Sequence, residues 1–198
     1  LLQELDPSQT IILSAGYQQT SNMKPSPFLD FLLPLIKSND HILDLGAGDG
    51  KLDETFASMG AIVTALDKVE PPLDLDEKVT WIKADLKTYN LQDLPDNNQL
   101  ILCKQFIQFF DKDFILKELH PILIQKLAPG GILAIETFSA PPEPAFSKSH
   151  HTYFHLTDFA PLTTGMESIL SQEISKKSTD RSGTPRKFHV TQLIVRKK

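Results

Sequence analysis

The chain has 198 residues, of which 40% are hydrophobic and 23% charged, and carries a formal net charge of −5. That length suits one domain with a full core, the composition is ordinary for a globular protein, and no apolar run approaches the roughly 20 residues that span a bilayer. One cysteine, Cys103, excludes an intramolecular disulfide and a cysteine-based metal cluster, so a reducing, cytoplasmic setting is the default expectation, with no metal and no membrane partner.

The charge is unevenly spread. From Lys176 to Lys198 there are eight basic residues and one acid, Asp180, so the preceding segment carries about −12. Such an acidic body argues against broad nucleic-acid binding. The basic end reads either as a solvated hairpin or as a rim that attracts anions through Arg181, Arg186 and Lys187.

In chain order, residues 1–24 show little period and form an arm. "SPFLDFLLPLIKSND" predicts a helix entered near Ser26 and Pro27 and finished by Asn39, which Pro34 bends or shortens. Residues 1–40 are therefore an N-terminal arm and helix, and 41–198 the main domain. "HILDLG" is a buried-strand pattern. It leads into a glycine turn and then "KLDETFASMG", a helix with Leu52, Phe56 and Met59 on one face and Gly60 as its stop. "AIVTALD", "VTWIKAD" and "LILCKQF" are further strands. "FDKDFILKELHPILIQKL" is a long helix kinked at Pro121, "APGG" closes it, and "ILAIETFS" is a fifth strand. Strands alternating with helical or loop segments imply βαβ units and a parallel sheet.

The last third departs from that alternation. Residues 139–165 are rich in proline and histidine and predict a loop and a short helix from Thr157. "SILSQEISKK" and "FHVTQLIVRK" read as two strands joined by turn formers. Leu193, Ile194 and Val195 are apolar on both strand faces, so the last strand sits inside the sheet.

Three of the nine glycines, Gly46, Gly48 and Gly50, fall within five residues, preceded by Asp44. Glycine serves where φ is positive or a ligand must approach backbone. A strand, a glycine turn and a helix aim backbone N–H groups at a ligand, and Asp67, 21 residues beyond Gly46, has the spacing that brings a carboxylate to ribose hydroxyls. A dinucleotide fingerprint would run G-x-G-x-x-G and seat a pyrophosphate on the helix. Here the pattern is G-x-G-x-G with Asp49 in the turn, where a pyrophosphate would be repelled. Carboxylates suit a cationic ligand, and charge favours S-adenosylmethionine over a nicotinamide or flavin dinucleotide.

On "ILDLGAGDG", "ALD", "IKADL", "LILCKQFIQFF" and "LAPGGILAIETFS", the chain resembles the class I S-adenosylmethionine-dependent methyltransferases from about Ile42 to Lys198. Its architecture is similar to the small tellurite-resistance (TehB-like) members, although Lys51-Leu52-Asp53 stands where that group carries Arg-Asn-Ser. The resemblance implies a Rossmann-like α/β three-layer sandwich whose seven-stranded, mostly parallel sheet has an antiparallel C-terminal strand. It implies S-adenosylmethionine as cofactor, with S-adenosylhomocysteine as product. It places Asp44, Gly46, Ala47 and Gly48 around the methionine part. Asp67 would sit at the ribose, with Lys68 beside it contributing backbone. Asp85 and Leu86 fall at the adenine, and the Lys104 carbonyl at the ammonium.

The expected activity is methyl transfer to a small molecule, an anionic one where the basic end acts as a rim, since no large substrate domain interrupts the sheet. A protein or RNA methyltransferase docking through the basic hairpin, and a non-catalytic cofactor-binding protein, are the alternatives. Methyl transfer needs alignment more than charge stabilisation, and a general base only if the nucleophile starts protonated. Catalytic residues are therefore not named by motif; His151, His189 and Tyr17 are the candidates. Asp67 is expected to face the ligand crevice, so that removing it should barely affect folding.

Overall fold

Short apolar strands separated by turns build the centre of the molecule. The structure, a computed structural model, describes residues 27–146, 150–180 and 182–198. Seven strands form one sheet: β1 (His41–Leu45), β2 (Ile62–Asp67), β3 (Val79–Lys83), β4 (Asn98–Lys104), β5 (Leu127–Glu143), β6 (Glu167–Thr179) and β7 (Pro185–Arg196). Their spatial order is β3-β2-β1-β4-β5-β7-β6. The first five pair in parallel, and β7 runs antiparallel to both β5 and β6. The Rossmann-like α/β sheet expected from the sequence is present.

The two-faced apolar run near the C-terminus explains the position of β7. Val190 to Val195 are all buried, and β7 lies between two neighbours. β6 takes the edge instead, where its alternating exposed residues include Glu173 and Lys177, charges that discourage pairing with another chain.

The chain divides at Leu35/Ile36 into two units. In the first, α1 (Pro27–Leu32) is followed by a 3-10 turn, Leu33–Leu35, that contains Pro34. The helix expected to reach Asn39 is therefore shortened, because Pro34 has no N–H to continue the ladder. In the second unit, α2 (Lys51–Ser58) follows β1, and a π-helical stretch, Phe114–Leu119, runs into α3 (His120–Lys126). The helix widens there just before Pro121, at the expected kink. α4 (Leu156–Phe159) begins one residue earlier than the sequence suggested. The β2–β3 connection carries no helix and the β3–β4 connection only a 3-10 turn, Leu91–Asp93, so the helical cover is thin on that side.

One sheet face holds the main core: Leu43, Leu45, Ile101, Cys103, Leu133 and Ile135 meet Leu119 and Leu123 of the α3 region and Phe154 and Phe159 beyond β5. The buried face of α2 is Asp53, Phe56 and Ala57 rather than Leu52, Phe56 and Met59. The expected set is spaced i, i+4, i+7 and the observed one i, i+3, i+4; both are helical, and the buried face is turned by about one residue from the expected one. Within β5 lies Gly131, whose hypothetical Cβ would be 2.7 Å from the Asn98 carbonyl oxygen. That neighbour is backbone in a paired strand and has little room to yield. Gly131→Ala should therefore lower stability by about 1–3 kcal/mol, measured as a lower urea midpoint with an unchanged slope.

Candidate active site

The parallel strands β1, β2, β3 and β4 run the same way, so their last residues lie together at the carboxyl edge of the sheet. β1 leads into the turn Gly46–Gly50, whose three glycines have φ of 82°, 67° and 72°. That left-handed path lets the chain leave β1 and enter α2 at once. The turn is tied to β2: Gly46 N–H and Ala47 N–H both donate to the Leu66 carbonyl, at 2.8 and 3.4 Å. Gly48 N–H donates to Asp67 Oδ2 at 2.9 Å.

Asp67 thus has a structural duty the sequence did not disclose. Its Oδ1 also accepts from Val69 N–H at 3.1 Å. Each oxygen keeps a further lone pair, so the carboxylate can hold the turn and still accept hydroxyl donors. Lys68 beside it is exposed. The Ala84 N–H donates to the Asp67 carbonyl at 2.9 Å, which brings Asp85 to the same edge. Asp85 Oδ1 accepts from Lys87 N–H at 3.0 Å and caps the following turn, while Leu86 is buried in the core.

Lys104, at the end of β4, stands in a polar row that crosses the sheet: Lys104 pairs with Glu136, Glu136 with Gln192, and Gln192 with Gln172. Glu136 is fully buried and accepts from Lys176 Nζ at 2.8 Å and Gln192 Nε2 at 2.6 Å. Gln105 follows Lys104 with φ of 54°, and its N–H donates to the Glu136 carbonyl at 2.6 Å. That turn lays Phe106 directly on Gly46, where any Cβ would sit 2.3 Å from the ring. Neither Glu136 nor Phe106 stood out in the sequence. The sole trace of the row is a glutamate inside the apolar "ILAIETFS".

A second surprise lies beneath the turn. Asp44 is 3% exposed and Asp53 is fully buried. Burial pushes both carboxyls above the ordinary 3.8, Asp44 to about 7 and Asp53 to about 10, and the facing Asp44 charge adds to the rise at Asp53.

Of the three catalytic candidates, Tyr17 lies outside the described residues. His151 sits among phenyl rings, 5.2 Å from Phe109 and 5.3 Å from both Phe138 and Phe146. Its Nδ1 is buried without a hydrogen-bond partner, and partial burial lowers its pKa below 6.5. Thr152 N–H donates to the Gln108 carbonyl and Phe154 N–H to the Phe138 carbonyl, each at 2.9 Å, so this segment straps the β4 loop to β5. His189 is fully engaged instead: Nδ1 meets Ser175 Oγ and Nε2 meets Glu143 Oε1, both at 2.9 Å. Among the described residues, no cluster of His, Cys, Asp or Glu is arranged to hold a metal ion.

Of the three cations read as a solvated hairpin or an anion-attracting rim, Arg186 is engaged within the protein. Arg186 Nε donates to Asp180 Oδ2 at 2.6 Å, its Nη1 donates to the carbonyls of Pro144 and Ala145, and it lies 4.8 Å above the Phe146 ring. With its side chain only 12% exposed, it clamps the hairpin to the segment after β5. Lys187 faces Glu143 at 3.6 Å. Arg181 lies outside the described residues. A hollow of about 460 Å³ beside the hairpin is lined by Glu143, Lys177–Thr179 and Pro185–Lys187, none of them from the glycine turn.

No family model matches the chain. It is 27% identical over 142 residues to the mitochondrial ubiquinone biosynthesis O-methyltransferase of Schizosaccharomyces pombe. That match takes in 63% of this chain and 49% of the yeast protein, so the chain spans about half the length of this curated relative. Among solved structures, TehB from Haemophilus influenzae superposes with a TM-score of 0.70 at 15% identity, over 91% of this chain and 64% of that one. The N-methyltransferase NodS from Bradyrhizobium japonicum, in complex with S-adenosylhomocysteine, superposes with a TM-score of 0.58 at 15% identity, over 96% and 97% of the two chains.

The chain has the class I methyltransferase fold. In open α/β sheets ligands bind outside the carboxyl ends of the parallel strands, the edge at which Asp44, Asp67, Asp85 and Lys104 lie here. Among the described residues, no helix is long and apolar enough to cross a membrane.

Because Asp67 anchors Gly48 and Val69, Asp67→Ala should destabilise the ligand-free protein by about 1–3 kcal/mol. Denaturation without any ligand checks this. A stability equal to that of the original protein would show that the turn holds without its carboxylate.

Proposed function

We propose that this chain is an S-adenosylmethionine-dependent methyltransferase acting on a small molecule. The observation that carries the reading is the left-handed glycine turn, bound to Asp67 through Gly48, with Asp44 beneath it and Asp85 beside it. Half-buried glycine backbone and carboxylates at one strand edge suit a ligand that is cationic at one end and carries ribose hydroxyls at the other. The neighbours support it, since NodS was solved with S-adenosylhomocysteine and the yeast relative is an O-methyltransferase.

In this reading Gly46, Ala47 and Gly48 border the methionine part, with Asp44 supplying negative charge from below. Asp67 accepts from the ribose hydroxyls through its remaining lone pairs, and the Lys68 backbone lies alongside. Asp85 and the Leu86 N–H meet the adenine, and the Lys104 carbonyl receives the ammonium. The cofactor would supply an electrophilic methyl group on a sulfonium. The protein's part is to hold the acceptor in line and exclude water, which can account for most of the acceleration.

On the acceptor side we favour His151. Its neutral imidazole, with one unpaired nitrogen, lies against Phe109, Phe138 and Phe146 and can take a proton from an acceptor bound on those rings. His189 has both nitrogens committed and is the poorer base. Docking of a protein or RNA on the basic hairpin loses support, because Arg186 and Lys187 already face acids. A single buried thiol, Cys103, suits a reducing compartment, which we read as the cytoplasm.

Calorimetric titration should show binding of S-adenosylmethionine and S-adenosylhomocysteine and negligible binding of NAD; tight NAD binding without S-adenosylhomocysteine binding would overturn the assignment. For the acceptor side, incubation with labelled S-adenosylmethionine and a panel of small molecules identifies a methylated product. With that acceptor, His151→Ala should lower kcat by about tenfold or more while leaving S-adenosylhomocysteine affinity unchanged. An unchanged kcat would remove His151 from the reaction.

A further inference from the structure

Asp53 has no place among the cofactor contacts, yet a carboxyl group in the first turn of a helix is rarely buried completely. Both of its oxygens are buried and neither receives a hydrogen bond from an N–H or an O–H. The group it faces is Asp44, itself almost fully buried at the end of β1. Two ionised carboxylates are acceptors only, so neither can satisfy the other. Held together out of water they also repel, and the cost of two such unpaired charges is prohibitive for a folded domain.

The surroundings do not neutralise the pair. From β4, Lys104 attracts; from β2, Asp67 repels; from the glycine turn, Asp49 repels. The remaining titratable neighbour, Cys103 of β4, is a buried thiol held far above its usual range and therefore uncharged. Asp49 is itself paired with Lys51 at 2.8 Å, so Lys104 is left facing Asp44, Asp53 and Asp67, and a proton on the buried pair reduces the excess of negative charge. The O–H of one group then donates to the other, a charge-assisted bond that gives each carboxyl a partner.

We propose that Asp53 keeps its proton at neutral pH and donates it in a hydrogen bond to Asp44, acting as a positioning residue that holds Asp44 as a single oriented anion beneath the glycine turn. The proton stays within the pair, so no further donor or acceptor is required. The identity of the cation that Asp44 attracts rests on the methyltransferase reading above; the shared proton does not.

Two consequences follow for pH. Uptake of a second proton, as pH falls through about 7, discharges the pair and weakens binding of a cationic ligand. Stability runs the other way. Both groups bind protons more tightly in the folded chain than in the unfolded one. The stability they contribute is fully present below the ordinary 3.8, and it is lost as pH rises through about 7 and then about 10.

The test begins with the ligand-free protein carrying 13C-carboxyl aspartate. Two aspartate carboxyl signals should titrate well above the ordinary 3.8, and one of them should be missing in Asp53→Asn. If every aspartate signal titrates near the ordinary value, the proposal is wrong, whether or not the chain binds S-adenosylmethionine. Binding of S-adenosylhomocysteine then separates positioning from space-filling. Asp53→Asn retains a donor to Asp44 and should keep affinity within about threefold. Asp53→Leu has no donor and should lose about tenfold or more at neutral pH, with the pH midpoint of binding moved upward. Equal affinity and an equal midpoint in Asp53→Leu would overturn the positioning role. Should Asp53→Leu fail to fold, the carboxyl titration and the Asp53→Asn midpoint still decide the matter. Absence of binding by the unsubstituted protein would instead count against the cofactor assignment alone.

Discussion

The glycine turn is held by β2, and the rest of the site depends on that attachment. The Leu66 carbonyl accepts from Gly46 and Ala47, and the Asp67 carboxylate accepts from Gly48, so the path of the turn is set by the neighbouring strand. Parallel pairing of β1 with β2 places Leu45 opposite Leu66, which brings those acceptors to the height of the turn. A one-residue slip would turn every side chain of β1 to the other face, taking Leu43 and Leu45 out of the main core and putting Asp44 into it. Core burial therefore sets the register, and the register aims the turn.

Different constraints act on the two ends of the sheet. At the glycine turn the backbone takes a left-handed path and is closely packed: Phe106 lies directly on Gly46, and Pro72 stands 2.9 Å from where a Cβ of Gly50 would be. On the β5–β7–β6 side, buried polar groups are satisfied within the sheet: Glu136 gathers Lys176, Gln192 and Gln105. Buried polar groups with complete hydrogen bonding fix one arrangement, because any shift would leave a donor or acceptor unmet in a dry interior. The loop after β4 inherits that rigidity through Gln105 and Gln108, the latter bound to buried Thr137.

The basic hairpin shows what a count of charges along the chain leaves open. Its cations form an excess when counted along the chain, and counting suggests attraction of anions from solvent. Folding brings Asp180 and the carbonyls of Pro144 and Ala145 to Arg186, and Glu143 to Lys187. What reads as a field becomes a set of short-range contacts that closes the hairpin against β5.

Local patterns were legible wherever the chemistry is local. The apolar runs marked the strands, Gly46 to Gly50 marked the turn, Asp67 and Asp85 fell at the carboxyl ends of β2 and β3, and the two-faced Leu193–Val195 run placed β7 inside the sheet. Each depends on the order of residues along a few turns or strands, where hydrophobic period and backbone conformation are set by neighbours in sequence. The burial of Asp53 against Asp44, the polar row through Glu136, the phenyl surround of His151 and the engagement of both His189 nitrogens were not legible. Those features join residues far apart in the chain, or depend on which face of α2 the glycine turn presents to β1. Only packing in three dimensions determines which carboxyl loses its water and which finds a partner.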